Sequence, residues 1–265
     1  MKYKTHVVIG DGHSAPDQNL ERFSWIGRYV ALTKPDVFVD IGDLVTFDSC
    51  SFFDVPRRYK TTAQDDIETA IYALDLIDDE IDAENVRLTK NKKKKYRPHR
   101  VFCHGNHEYR FNRRLQADED VLGSLVDLDE LLGTYDRFDE VCQYKDFVDV
   151  DGILYTHAVH NGRGTPMGGV TRGRAINAMS DMPVVYGHTH KFDFTSTALL
   201  GNTNRQVWSL NLPAFMDQDH VEEYATGSTT GWAYGAVEIK VYEDGNSVYR
   251  WISMAELKEF YERNK

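Results

Sequence analysis

Apolar and polar positions along the chain switch repeatedly between two periods. His6 to Gly10 is a short β-branched run that ends in Gly10-Asp-Gly-His13, the pattern of a buried strand delivering polar residues at its C-terminal end. Leu20, Phe23, Ile26 and Val30 then recur at helical spacing, and Pro35 stops that helix. A second apolar run, Val37 to Ile41, ends in Gly42-Asp43. Strand, helix and strand in this order predict a right-handed crossover and parallel pairing.

Ile67, Ala70, Ile71, Leu74, Ile77 and Ile81 trace a long amphipathic helix, with Thr62 and Asp65 as its capping pair. Arg100 to Cys103 is a third buried strand, again ending in polar residues, His104-Gly-Asn-His-Glu108. Val121, Leu125, Leu128 and Leu132 carry a helical pattern. An antiparallel pair follows, Phe147 to Val150 and Gly152 to Tyr155, turned at Asp151-Gly152 and leading into Thr156-His157. Pro183 to Tyr186 leads likewise into Gly187-His-Thr-His190. Further strands are expected at Gln206 to Leu210, Tyr234 to Tyr242 and Ser247 to Ile252, and Ser253 with Glu256 caps a final helix. Alternating strands and helices of this kind predict one α/β domain spanning 1–265.

Charge changes this picture in one respect. A formal net charge of -11, from 31 Lys and Arg against 42 Asp and Glu, opposes general adhesion to nucleic acid or anionic membrane, so a polyanion must be held locally. The three cysteines, Cys50, Cys103 and Cys142, are odd in number and widely spaced, which argues against a disulfide framework. The N-terminal apolar run is too short for a signal peptide and no window approaches membrane-spanning length, so the expected compartment is the cytoplasm, with no membrane partner.

The candidate chemistry lies at five strand ends: Asp11 and His13, then Asp43, then Asn106 and His107, then His157, then His188 and His190. An all-oxygen-and-imidazole set suits borderline or hard divalent metals and excludes a structural zinc site built on cysteine. Even with His107 set aside, seven donors are too many for one tetrahedral ion, which favours two. Residues two apart on an extended segment point the same way, so Asp11 and His13 can share one ion, with His190. Glycines at 12, 42, 105 and 187 are expected to let the backbone turn tightly beside the ions.

The ordered set Asp11-x-His13, Gly42-Asp43, Gly105-Asn-His-Glu108, His157 and Gly187-His-Thr-His190 resembles the calcineurin-like metallophosphoesterases over residues 5–191; residues 206–265 would complete the domain. The resemblance implies a four-layer α/β/β/α sandwich with mixed central sheets and metals at the C-terminal strand ends. It assigns Asp11, His13 and His190 to one ion, Asn106, His157 and His188 to the other, and Asp43 as the bridge. His107 becomes the catalytic acid, with Glu108 a second catalytic residue that orients it or raises its pKa. A metal-bridging hydroxide would attack phosphorus in line. Manganese is the first expectation for the two cations, with iron, zinc, nickel or magnesium as alternatives. After Gly42-Asp43 the chain lacks the Asp-Arg-Gly of the family's protein phosphatases. This favours a phosphodiesterase or nuclease acting on nucleic acid or nucleotides. The alternatives are a phosphomonoesterase of proteins or small molecules and a non-catalytic metal-bound scaffold.

Three further features bear on substrate. The basic segment Lys90 to Arg100 reads as a solvated loop or as an electrostatic guide for phosphate backbones, and Arg110, Arg113 and Arg114 follow the third motif. The glycine-rich stretch Asn161 to Arg174 carries Arg163, Arg172 and Arg174 and suits a substrate loop. Arg110, Arg163 and His160 are therefore candidates for substrate binding. His99, His104 and His220 are expected on the surface or behind the ligands, and Phe47, Phe52 and Phe53 in a core or packing lid.

Overall fold

The structure is a computed structural model and describes residues 2–51, 61–117, 126–198, 206–217 and 230–265. Eleven strands are described: β1 (Tyr3–Ile9), β2 (Val37–Asp40), β3 (His99–Cys103), β4 (Glu140–Cys142), β5 (Val148–Val150), β6 (Ile153–Tyr155), β7 (Val184–Tyr186), β8 (Asp193–Ala198), β9 (Gln206–Asn211), β10 (Gly235–Tyr242) and β11 (Ser247–Ser253). The helices are α1 (Glu21–Thr33), α2 (Ala63–Lys90), α3 (Asn106–Ala117), α4 (Leu128–Leu132), α5 (Thr134–Arg137), α6 (Arg172–Met179) and α7 (Met254–Asn264).

The strands form two mixed sheets. The first has the order β11-β10-β1-β2-β3-β4, parallel from β1 to β4 with an antiparallel β10–β11 edge. The second has the order β5-β6-β7-β9-β8, with parallel β6, β7 and β9 between antiparallel edges.

The continuous apolar runs seen in the sequence have a simple cause, because successive side chains serve two different cores. In β1, Val7 and Ile9 pack with α1 and α2, while Val8 faces the second sheet; β2 and β3 split in the same way at Phe38 and Phe102 against Val39 and Val101. Tyr155, Val185 and Leu210 of the second sheet close the core between the sheets. Val184, Tyr186 and Ile176 form a third cluster under α6 on its far face. The layers are therefore helix, sheet, sheet, helix, as the α/β/β/α expectation requires.

Local signals hold the helices in place. Thr62 and Asp65 form a full capping box at α2: Asp65 N–H donates to the Thr62 hydroxyl at 3.2 Å and Thr62 N–H to the Asp65 carboxylate at 2.7 Å. Ser253 accepts from Glu256 N–H at 3.2 Å to start α7. Of the helix expected from Val121 to Leu132, positions 121–125 lie outside the described residues and α4 spans only Leu128–Leu132. The strands β4 and β8 have no counterpart in the sequence reading.

Gly27 sits where α1 crosses α2. A Cβ there would lie 2.8 Å from the Ile77 carbonyl oxygen and 2.9 Å from its Cα, both backbone atoms that cannot rotate away. Alanine raises helix propensity by about 1 kcal/mol, but forcing the helices apart costs about 1–3 kcal/mol. We expect Gly27→Ala to lower stability in urea unfolding; an unchanged or raised midpoint would show that the two helices separate freely.

Candidate metal centre

All five donor-bearing segments leave the C-terminal ends of parallel strands, three from the first sheet and two from the second. The ladders continue into the loops. Asp11 N–H donates to the Gly42 carbonyl, His13 N–H to that of Asp43 and Ser14 N–H to that of Leu44, each at 2.8 Å, so the loops after β1 and β2 run side by side. Gly187 N–H donates to the His157 carbonyl at 2.9 Å and Phe215 N–H to that of Gly10 at 2.8 Å, which ties the second sheet's loops to the first's.

These contacts bring Asp11, His13, Asp43, Asn106, His157, His188 and His190 together. The donor atoms of Asp11, His13 and His190 lie within 4.8 Å of one another, as do those of Asp43, His157 and His188, and those of His13, Asp43 and His107. Nε2 of His13 and Nε2 of His190 are 3.2 Å apart, and Nε2 of His157 is 3.3 Å from Nδ1 of His188. Asn106 Oδ1 stands 3.0 Å from His157 Nε2. Asp43 joins the groups through one oxygen: Oδ2 is 3.2 Å from His157 Nε2 and 3.9 Å from His13 Nε2, while Oδ1 accepts the His107 N–H at 2.8 Å. Buried nitrogens that converge on one another at such distances fit divalent cations, which bind imidazole at about 2.0–2.1 Å and so bring their ligands about this close together.

The backbone is held under strain to achieve this. Asp11, His13, Asp43, His188 and His190 all have φ between 43° and 70°, in the left-handed region that residues with a Cβ rarely adopt. Gly42 turns at φ 91°, as expected, whereas Gly105 and Gly187 act by leaving room. A Cβ on Gly105 would lie 2.0 Å from Asp43 Oδ1, and one on Gly187 would lie 2.4 Å from Asp11 Oδ2; neither glycine has a positive φ.

Two imidazoles are oriented by backbone carbonyls. His157 Nδ1 is 3.1 Å from the Ile41 oxygen and His107 Nδ1 is 2.6 Å from that of Thr46, so in each case Nδ1–H donates and Nε2 faces the centre. Glu108 does not orient His107, contrary to the sequence expectation. Its buried carboxylate accepts three backbone N–H groups instead, from Asp43 (2.9 Å), Leu44 (2.9 Å) and Gly105 (2.8 Å). It clamps the loops after β2 and β3.

Charge within the centre is uneven. Burial pushes the His107 imidazole down to about 4 against the opposing pull of Asp43, and burial with the neighbouring His157 brings His188 to about 4. Burial would depress His157 too, but the adjacent Asp43 carboxylate outweighs it and raises His157 to about 9. Burial opposes ionisation of Asp43, yet His107, His157 and His13 hold it well below the usual carboxylate range.

Other expected residues are placed differently. Lys92 to Lys95 are exposed on the loop before β3, at the end of the sheet opposite the centre, separated from it by a five-residue strand of about 15 Å. Arg97 there pairs with Asp139 at 3.2 Å, and the lysine run does not flank the donors as the guide reading required. Arg110 is near the centre, donating to the Thr46 carbonyl at 3.0 Å and facing Asp48 at 3.7 Å. Arg114 donates to the Cys50 and Ser51 carbonyls. Arg163 is exposed on the glycine-rich loop, whereas Arg172 is buried against Asp193 at 3.5 Å. His99 pairs with Glu140, and His104 is buried against Asp129 at 2.8 Å, behind the donors, which is one of the two placements expected for it. Phe47 is fully buried; Phe52, Phe53 and His220 lie outside the described residues. The sequence reading missed Tyr109, Tyr144 and Trp232, whose rings stand beside the donors; Tyr144 lies 6.4 Å from His157 and Trp232 lies 4.7 Å from His190.

Two outcomes follow from this geometry. Glu108→Ala strands three buried N–H donors, which costs about 3 kcal/mol or more, so both thermal stability and metal affinity should fall, with Glu108→Gln between. Slower turnover at an unchanged unfolding temperature would return Glu108 to a catalytic role. In the metal-free site His157 carries a proton below about 9 on the nitrogen that would bind metal. Loading an ion at pH 7 should therefore release about one proton, and apparent affinity should rise with pH up to about 9. Calorimetry in buffers of different ionisation enthalpy counts that proton; no buffer dependence would show His157 already neutral.

No family model matches the chain, and no curated protein matches it. Among solved structures it is similar to Vps29 of Entamoeba histolytica, at 10% identity and a TM-score of 0.41 over 93% of this chain and 98% of that one. A Streptococcus pneumoniae protein described as a predicted phosphoesterase gives 10% identity and a TM-score of 0.41 over 96% and 92%. A zinc complex of the Entamoeba Vps29 gives 11% and 0.35 over 94% and 99%. The two packed mixed sheets between helical layers, with the donors gathered at their strand ends, are the α/β/β/α arrangement that the motif order along the chain leads us to expect.

Proposed function

We propose that the chain is a divalent-metal-dependent hydrolase of phosphate esters, with phosphodiesters in nucleotides or nucleic acid favoured over phosphomonoesters. The observation that carries this reading is a pair of adjacent donor groups, one around Asp11, His13 and His190 and one around His157 and His188, with Asp43 Oδ2 3.9 Å from His13 Nε2 and 3.2 Å from His157 Nε2. Asp11, His13 and His190 would hold one ion, Asn106, His157 and His188 the other, with Asp43 between them. Bound divalent cations supply positive charge that neutralises a phosphoryl group and lowers the pKa of water.

The chain's own residues do the rest. Thr46 takes the His107 Nδ1–H, so Nε2, 3.7 Å from Asp43 Oδ2, is the atom that faces a departing ester oxygen. Burial holds this imidazole down to about 4, so Nε2 acts as an acid only when the negative charge of a bound phosphate ester draws a proton onto it. Glu108 and the Asp43 Oδ1 bond to His107 N–H keep the two loops in register while this happens. A diester is favoured because it brings one negative charge where a monoester brings two. Of the arginines named from the sequence, Arg110 is already committed to Thr46 and Asp48, and Arg163 is exposed on its loop.

The test is a panel on protein stripped by chelator and reconstituted with manganese: bis-p-nitrophenyl phosphate, p-nitrophenyl phosphate, single- and double-stranded DNA and a phosphopeptide. We expect metal-dependent turnover, highest on diesters and abolished by Asp43→Asn. Inactivity on every ester with metal bound would instead favour the scaffold reading. His107→Asn should keep its metal while kcat falls by about two to four orders of magnitude on a poor leaving group. With p-nitrophenol leaving, the loss should shrink, and equal losses on both would remove His107 from the acid role.

A further inference from the structure

Beside the donors, on the side of Asn106 and His157, stands a small aromatic shelf. Tyr109 lies on the first turn of α3, three residues after Asn106, and its ring is 5.1 Å from that of Tyr144 at an interplanar angle of 33°. The Tyr144 ring is in turn 6.4 Å from the ring of His157. Burial, with the Asp43 charge second, raises the Tyr144 phenol to about 12, which places that phenol within reach of the centre's field.

Both rings are half-buried, and among the described residues neither belongs to the three apolar cores. Their surroundings are polar. The Tyr144 hydroxyl is hydrogen-bonded to His160 Nε2 at 3.0 Å, which fixes the ring at one edge. Lys145, exposed and in the left-handed region at φ 79°, carries its ammonium 5.8 Å from the Tyr109 ring and 5.6 Å from the Tyr144 ring. A lysine in that position is held weakly and is easily displaced toward an anion.

Two half-exposed rings in contact, tilted 33° to one another, beside a phosphate centre reward a flat, polarisable group tethered to the phosphate by a short linker. A nucleotide has such a group; a sugar phosphate or a phosphoserine peptide does not. We propose that Tyr109 and Tyr144, with Lys145 and His160, form the subsite for a nucleobase attached to the phosphate held at the metal centre. This deepens the phosphoester reading and rests on it. It also accounts for selectivity without a basic groove, because stacking is available to any base.

The test compares two ligands that differ only by the base, adenosine monophosphate and ribose 5-phosphate, by calorimetry on the manganese-loaded protein. Stacking should make the nucleotide bind about 5- to 100-fold more tightly. Tyr144→Ala and Tyr109→Ala should each bring that ratio toward one, and Tyr144→Phe, which keeps the ring and loses the bond to His160, should preserve most of it. Equal affinities in the unaltered protein, a ratio that survives Tyr144→Ala, or a ratio lost only in Trp232→Ala would overturn the assignment. The two readings fail separately. Ester turnover with a ratio of one removes the shelf alone, whereas a base-dependent ratio without hydrolysis of any ester removes the catalytic reading and leaves the shelf.

Discussion

The Glu108 carboxylate is the constraint on which the centre depends. It is fully buried, and its oxygens accept the N–H groups of Asp43, Leu44 and Gly105. Burial works against its ionisation and raises its pKa, while the Gly105 N–H favours the charged form. The bonds join the loop after β2 to the loop after β3 at the point where Asp43 and Asn106 must face one another. Removing the carboxylate leaves backbone donors that water cannot reach, so the loops lose their reason to lie together. Arg22 does similar work on the other flank, donating to the Gly12 carbonyl at 2.8 Å and the Phe215 carbonyl at 3.0 Å.

Pre-organisation of this kind has a conformational cost. Five of the donor residues sit in the left-handed region, a strain of about 1 kcal/mol or more apiece for residues with a Cβ. Asp is among the side chains that tolerate this conformation best. The strain persists because the extended ladders, the Glu108 clamp and the inter-sheet bonds overdetermine the loops. The rigid two-sheet scaffold thus stabilises loops that would not hold these angles alone and keeps the donors together.

Much of this was legible in the sequence because the evidence is local. Each donor segment follows an apolar run, and a parallel α/β sheet puts functional residues at the C-terminal ends of its strands. The capping box at Thr62 and the cap at Ser253 could be read for the same reason. What could not be read is set by contacts between distant segments. Glu108 adjoins His107 in sequence, but on the first turn of α3 its side chain points toward the loop after β2. The lysine run adjoins a donor strand in sequence, yet it precedes that strand and so lies at the wrong end of it. Tyr109 and Tyr144 are 35 positions apart (144 less 109) and meet only because β4 pairs beside β3; β4, at three residues, is too short to show a period.

Charge balance explains why a cluster with so many carboxylates can exist at all. Asp11 and Asp43 face the imidazoles, Glu108 lies behind them, and Asp40 is buried nearby, with its Oδ1 accepting the Gly42 N–H at 3.0 Å. Burial, reinforced by Glu108 and Asp11, pushes Asp40 up to about 8, so at neutral pH it keeps its proton and adds no further negative charge. In the metal-free state the proton on His157 offsets part of what remains. The Asp43 carboxylate, held well below the usual carboxylate range by His107, His157 and His13, stays negative at the middle of the donors. An interior of that sign attracts divalent cations strongly, and the chain's neutral histidines at 13 and 188 are left ready to bind them rather than to compete with them.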